Sequence, residues 1–118
     1  MYKVIIAGGR DFENYETLSK ICDEYLKDRK NIQIISGSAR GADSLGEKYA
    51  IERRFSLIKV PAKWDVYGKS AGYRRNEEMV QMANCLIAFW DGKSKGTNHT
   101  IKLAKKYKLD LKIINYTL

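Results

Sequence analysis

IISGSARGADSLG, residues 34–46, passes from a short apolar run through a loop of Gly and Ser into a helical pattern. Ile34 and Ile35 read as the end of a buried strand, and Ser36, Gly37, Ser38, Gly41 and Asp43 as a turn whose backbone can come close to a ligand. A strand that feeds such a turn into a helix start leaves unpaired N–H groups and the positive end of a helix dipole aimed at one spot, which suits a phosphate or another anion. Taken alone, the stretch reads equally as a plain strand-to-helix connection with Asp43 or Ser44 as N-cap. The pattern occurs twice more. Gly8, Gly9, Arg10 and Asp11 follow the apolar run 3–7, and Asp91, Gly92, Lys93, Ser94, Lys95 and Gly96 follow the run 85–90.

Outward from this turn, strands are expected at 3–7, 32–35, 56–60, 85–90 and 111–115, the third ended by Pro61, which cannot donate to a sheet ladder. Apolar residues at helical spacing place helices at about 15–27, 42–53 and 74–82, and Thr97 or Asn98 caps a last one running to about residue 107. Residues 62–73, with Trp64, Asp65, Tyr67, Gly68, Lys69, Gly72 and Tyr73, read as a long irregular loop, and such loops inside compact domains are usually functional. Alternating strands and helices imply an α/β fold: a three-layer, Rossmann-like domain with a five-stranded, mainly parallel sheet, filling residues 1–118 as one domain. Ligands of such sheets bind beyond the carboxyl ends of the strands, where strand order reverses. All three Gly-bearing turns follow strands, so they should converge on one anion-binding cleft, with the 62–73 loop covering it.

Composition narrows the class of protein. Of 118 residues, 44% are hydrophobic and 31% charged with a single Pro, as in a folded chain and unlike a disordered one. The longest apolar runs, VIIA at 4–7 and CLIAFW at 85–90, fall far short of the roughly 20 residues of a membrane span, and no signal-peptide pattern opens the chain, so a cytoplasmic protein is expected. Cys22 and Cys85 lack CxxC spacing and there is one His, which leaves no zinc set and two reduced core thiols. The net charge of +8 points to an anionic partner, although the lysines of KDRK at 27–30 and KLAKKYK at 102–108 sit at helix ends, where they complement the dipole unaided.

Four segments together resemble the SLOG superfamily, which unites the LONELY GUY type nucleotide hydrolases, DNA-processing protein A (Smf) and the YspA/YpsA-related nucleotide binders. They are GGRDF at 8–12, SGSARGAD at 36–43, W-D-x-Y-G-x-x-A-G-x-x-R-N at 64–76 and W-D-G-x-S-x-G-T at 90–97. The chain is most similar to the small YspA-type branch of phage and bacteria. The resemblance implies that the Gly-rich turns hold the phosphate and ribose of a nucleotide or an ADP-ribose-like ligand. Arg10, Ser38, Arg40 and Asp43 would contact it, and Gly96 with Thr97 would cradle a phosphate at the last helix. The backbone of Gly8, Gly9, Ser36, Gly37, Gly41 and Gly92, with Asp11, Trp64, Arg74, Asn76, Asp91 and Ser94, completes the candidate site.

In LONELY GUY enzymes an Arg and a Glu are associated with cleaving the N-glycosidic bond of a nucleoside monophosphate. Arg75 of R-N-E-E-M matches the Arg by spacing and is the candidate catalytic residue, but Asn98, His99 and Thr100 stand where the Glu would be. A carboxylate stabilises the cationic sugar or activates water in that reaction, and Thr100 can do neither. Either the chain only binds its ligand, or Asp11, Asp43, Asp65, Glu77 or Asp91 has taken over; His99 is a further acid or base candidate. Similarity of SGSARGAD to the S-G-x-A-x-G-I-D turn of DNA-processing protein A adds single-stranded DNA as an alternative partner. Phosphates would meet Arg10, Arg40, Lys69, Arg74, Lys93 and Lys95, and bases would stack on Trp64, Tyr67 and Tyr73. An exposed Tyr116 is a slight pointer to a homo-oligomer.

Overall fold

A computed structural model describes residues 1–117. Five strands, β1 (Tyr2–Gly8), β2 (Ile32–Ser36), β3 (Ser56–Lys59), β4 (Cys85–Trp90) and β5 (Asp110–Asn115), alternate with helices α1 (Tyr15–Leu26), α2 (Ala42–Glu52), α3 (Trp64–Tyr67), α4 (Ala71–Met82) and α5 (Lys95–Lys106). The strands pair in the order β3-β2-β1-β4-β5, and every pairing is parallel. This is the α/β, Rossmann-like architecture the strand and helix pattern implies. Among the described residues no helix is long and apolar enough to cross a membrane.

The unbroken apolar runs of β1 and β4 follow from their place in the middle of the sheet, where both faces are covered. Successive side chains point to opposite faces. Val4, Ile6, Ile34, Cys85, Ile87 and Phe89 therefore pack with Leu18, Cys22 and Leu26 of α1 and Tyr49 and Ala50 of α2. Ile5, Ala7, Ile35, Leu86 and Ala88 pack with Met79 and Val80 of α4 and Ile101, Leu103 and Ala104 of α5. Leu18 is fully buried, which contributes roughly 1.5–3 kcal/mol by apolar transfer. Helices α1 and α2 thus cover one face and α4 and α5 the other, which puts the reversal of strand order between β1 and β4. Both cysteines are free and buried, and burial raises their thiols to about 12 for Cys22 and about 11 for Cys85.

Two segments differ from the sequence expectation. Residues 62–73 are largely helical: α3 leads through a 3-10 turn, Gly68–Ser70, directly into α4, which starts three residues earlier than its apolar pattern indicates. Local bonds hold this segment together, since the Val66 and Tyr67 N–H groups donate to the Lys63 carbonyl and the Ser70 hydroxyl to the Tyr67 carbonyl. The last helix is capped by Ser94 rather than Thr97 or Asn98. The Ser94 carbonyl takes the Asn98 N–H at 3.1 Å, so Thr97 and Asn98 lie inside the first turn.

Candidate functional site

Beyond the carboxyl ends of β1 and β4 lies a cleft of about 910 Å³. The first two turns reach it stitched together through one carbonyl: Gly9 O accepts from the Phe12 N–H at 3.3 Å and from the Ala42 N–H at 3.1 Å. Gly41 makes the crossing possible. Its φ of +76° lies in the region that L side chains avoid, and a Cβ there would stand 2.2 Å from Gly9 O. Gly41 is also the N-cap of α2 and offers no side-chain cap, in place of the Asp43 or Ser44 that residue type alone favours. The third turn is built differently. One oxygen of the Asp91 carboxylate accepts from the Lys93 and Ser94 N–H groups, both at 2.8 Å, while the Trp90 indole N–H donates to Ser94 O at 3.1 Å. The first-turn N–H groups of α2 and α5, which have no intrahelical acceptor, lie at this edge of the sheet.

Of the residues singled out in the sequence, Gly8, Gly9, Arg10, Asp11, Arg40, Gly41, Asp43, Arg75, Asn76, Asp91, Ser94, Gly96 and Thr97 line the cleft. Ser36, Gly37 and Ser38 do not line it; Ser36 is buried and Ser38 exposed. The Ser36 hydroxyl donates to the Glu47 carboxylate at 2.6 Å and accepts from the Ser38 N–H at 3.1 Å. Gly37 gives its carbonyl to an Arg75 Nη1 hydrogen bond. Trp64, Arg74 and Gly92 are not brought to the cleft. Arg74 instead lines a smaller hollow of about 210 Å³ with Lys63, Tyr67 and Glu78. There its guanidinium lies 4.4 Å over the Tyr67 ring and donates to the Ser70 hydroxyl at 3.1 Å. The 62–73 segment therefore flanks the cleft rather than covering it, with Trp64, Tyr67 and Tyr73 exposed at 53%, 42% and 49%.

Reasoning from sequence missed Phe12, Ser44, Met79 and Thr100, which also line the cleft. Ser44, in the first turn of α2, carried a signal in its place at the helix start, whereas Met79 and Phe12 carried only core hydrophobicity. Thr100, where the glycosidase-type Glu would be, is 3% exposed and bonds the Gly96 carbonyl at 3.1 Å. His99 stays out of the cleft: its Nδ1 sits 3.3 Å from Asn76 Nδ2, its ring meets Tyr73 edge-on, and burial holds its pKa below the ordinary value. Tyr116 is turned inward rather than exposed. It donates to Asp11 at 2.7 Å and packs edge-on against Phe12, which stacks on Phe89.

The electrostatics centre on Arg75 and Asp43. Arg75 is partly buried, donates from Nε to Asn76 Oδ1 at 2.9 Å and to the Gly37 carbonyl, and has no ion-pair partner among the described residues. Burial holds its pKa below that of a free guanidinium. Arg10 and Arg40 are likewise without an ion pair among the described residues. Asp43 is 5% exposed, and one oxygen accepts from the Ala39 N–H at 3.2 Å. Burial pushes its carboxyl up to about 6, against the Ala39 N–H and Arg75, which favour the charged form. Of the five carboxylates weighed from sequence, Asp65 and Glu77 lie off the cleft, and Asp11 and Asp91 are tied to Tyr116 and to backbone N–H groups. Asp43 is the one buried in its wall.

Comparison with known proteins agrees with this architecture. The chain is 32% identical to the gene 61 protein of Mycobacterium phage D29 over 98% of its own length and 97% of that protein's. It superposes on DNA processing protein A of Streptococcus pneumoniae with a TM-score of 0.78 at 18% identity, covering all of this chain and 52% of that one. For DNA processing protein A of Helicobacter pylori, a protein with a described single-stranded DNA binding mode, the TM-score is 0.75 at 21% identity, covering 99% of this chain and 66% of that one. The chain thus spans about half to two thirds of the length of these structural relatives, whose likeness is one of fold. Residues 2–67, which carry the first two Gly-bearing turns, match the model of the YspA, cpYpsA-related SLOG family, and the chain belongs to that family.

Proposed function

We propose that the cleft binds a nucleotide or nucleotide-derived anion and that the protein acts as a sensor, sequestering protein or regulator of it. The observation that carries this reading is Arg75, a partly buried guanidinium held by neutral acceptors and free of any ion pair among the described residues. Asp43 is the nearby carboxylate, but no ion pair joins the two, and a partly desolvated cation left without a bonded counter-charge favours an anion that completes it. Arg10, Arg40 and the first turns of α2 and α5 supply the rest of the positive field. Calorimetry with AMP, ADP-ribose, NAD and cyclic nucleotides tests it. The expected result is saturable binding of at least one of them, weakened tenfold or more by Arg75→Ala, since hydrogen bonds to charged groups contribute about 1.5–3 kcal/mol. No binding across the panel overturns it.

A second reading is favoured by a separate observation. Trp64, Tyr67 and Tyr73 are exposed beside Lys63, Lys69 and Arg74, and rings among cations are what single-stranded nucleic acid needs. Its signature is oligonucleotide affinity that falls steeply with salt, and a flat salt response rejects it. Hydrolysis of the bound nucleotide is the third reading, with Arg75 and Asp43 as its candidate pair. Chromatography after incubation with nucleoside monophosphates decides it: product that disappears with Arg75→Ala supports it, and no product above background rejects it.

A further inference from the structure

Buried Asp43 and partly buried Arg75 stand in the same wall without being joined. A Cβ placed on Gly37 would lie 2.8 Å from Asp43 Oδ2 and 2.9 Å from Arg75 Nη1, so both groups crowd the same side of Gly37. They form no ion pair; Arg75 Nη1 and Nε go instead to the Gly37 carbonyl and Asn76. An anion that settles on Arg75 therefore arrives beside a buried carboxylate, and two negative charges at such close range in a poorly solvated wall repel strongly.

The conflict has one inexpensive resolution, and it rests on the anion-binding reading above: we propose that Asp43 takes up a proton as the cleft takes up its anion, turning a repelling carboxylate into a hydrogen-bond donor to the guest. Solvent supplies the proton, the carboxyl O–H faces the bound anion, and Arg75 carries the remaining charge. The groups around Asp43 allow this. Arg75 of α4 and Arg10 of the first turn favour the ionised form and Glu47 of its own helix the neutral one, while the loop contributes the Ala39 N–H. Burial outweighs the cations and leaves the carboxyl poised at about 6 before any anion is present, so a modest added repulsion moves it across neutrality. A carboxyl at its ordinary value would need a far larger push.

Phosphate monoesters titrate near this range themselves, so the probes are inorganic sulfate and ADP-ribose, whose charges stay constant between about pH 5.5 and 8. Calorimetry in buffers of differing ionisation enthalpy counts the protons taken up. The expected result is uptake approaching one proton per anion near neutrality, with affinity weakening by up to about tenfold per pH unit between the carboxyl's free and bound titration points. Asp43→Asn is expected to bind with no proton uptake and a flat pH profile. Carbon-detected NMR of the Asp43 carboxyl in the unmodified protein supplies an independent reading, expected at about 6 alone and higher with sulfate. Binding with a flat pH profile in the unmodified protein overturns proton coupling and leaves the anion site standing, as does an Asp43 titration near the ordinary carboxylate value. Failure of both probes to bind at any pH overturns the anion site and the coupling together.

Discussion

The turn at 36–43 and the segment at 62–73 are alike in sequence, each mixing Gly, Ser, Ala and charge, yet they end in opposite states. In the first, besides the local bonds of the Ser38 and Ala39 N–H groups, the turn is tied to other parts of the chain: Gly37 to Arg75, Gly41 against Gly9, and the next residue, Ala42, to the Gly9 carbonyl. In the second the bonds are local, running from residue to residue between Lys63 and Arg74. Long-range bonds bury charge and leave it poised at a cleft; local bonds make a self-contained helical turn whose rings stay in solvent. The buried charge sits where the polar groups are cross-linked across the fold.

Glycine substitutions break this contrast most directly. Gly41→Ala brings a left-handed strain and a Cβ 2.2 Å from Gly9 O, so urea denaturation is expected to show a loss of about 2–4 kcal/mol. Gly68 also has positive φ, at +55°, with ψ at −131°, but nothing lies within 4 Å of its Cβ position, so Gly68→Ala in the outer segment is expected to lose only the backbone cost of about 1–3 kcal/mol, without a clash. Equal losses would mean that the two segments are equally embedded.

Asp43 supplies the next effect, and its sign is the reverse of an ordinary buried contact. Its folded carboxyl stands at about 6 and its ordinary value is 3.8, so between those points the native state binds more protons than the unfolded chain. Stability therefore falls as pH rises from about 4 to 6, by as much as about 3 kcal/mol from this group. Asp43→Asn is expected to be more stable than the parent at pH 7 and to flatten that slope; a less stable variant at pH 7 with the slope unchanged would contradict this. Tyr116→Phe removes the bond to Asp11 at 2.7 Å while keeping the ring on Phe12, for an expected loss of about 1 kcal/mol. Trp64→Ala acts on a ring that is 53% exposed: thermal denaturation should register about 1 kcal/mol, and nucleotide affinity of the cleft should not change.

The strands were legible because β1 and β4 are covered on both faces and carry unbroken apolar runs, and β2 carries one interrupted only by Gln33. From those runs alone the three turns are assigned to the carboxyl edge; that the cleft lies between β1 and β4 depends on the strand order, which the runs do not specify. What could not be read depends on partners far apart in the chain. The burial of Asp43 requires Arg75, Arg10 and Ala39 to close around it, and the inward turn of Tyr116 requires Asp11 and Phe12. The short helix at 64–67 has too few residues to show a period, and Ser94 was passed over as a cap because its carbonyl, rather than its side chain, bonds the first turn.

Amide chemical-shift mapping during titration with ADP-ribose tests the central claim most directly. Convergence of the three turns on one anion site predicts that the largest shifts fall on Arg10, Asp43, Ser44, Gly96 and Thr97, with the 64–73 amides unmoved. Shifts concentrated on Trp64, Tyr67 and Tyr73, with the turn amides still, would contradict it.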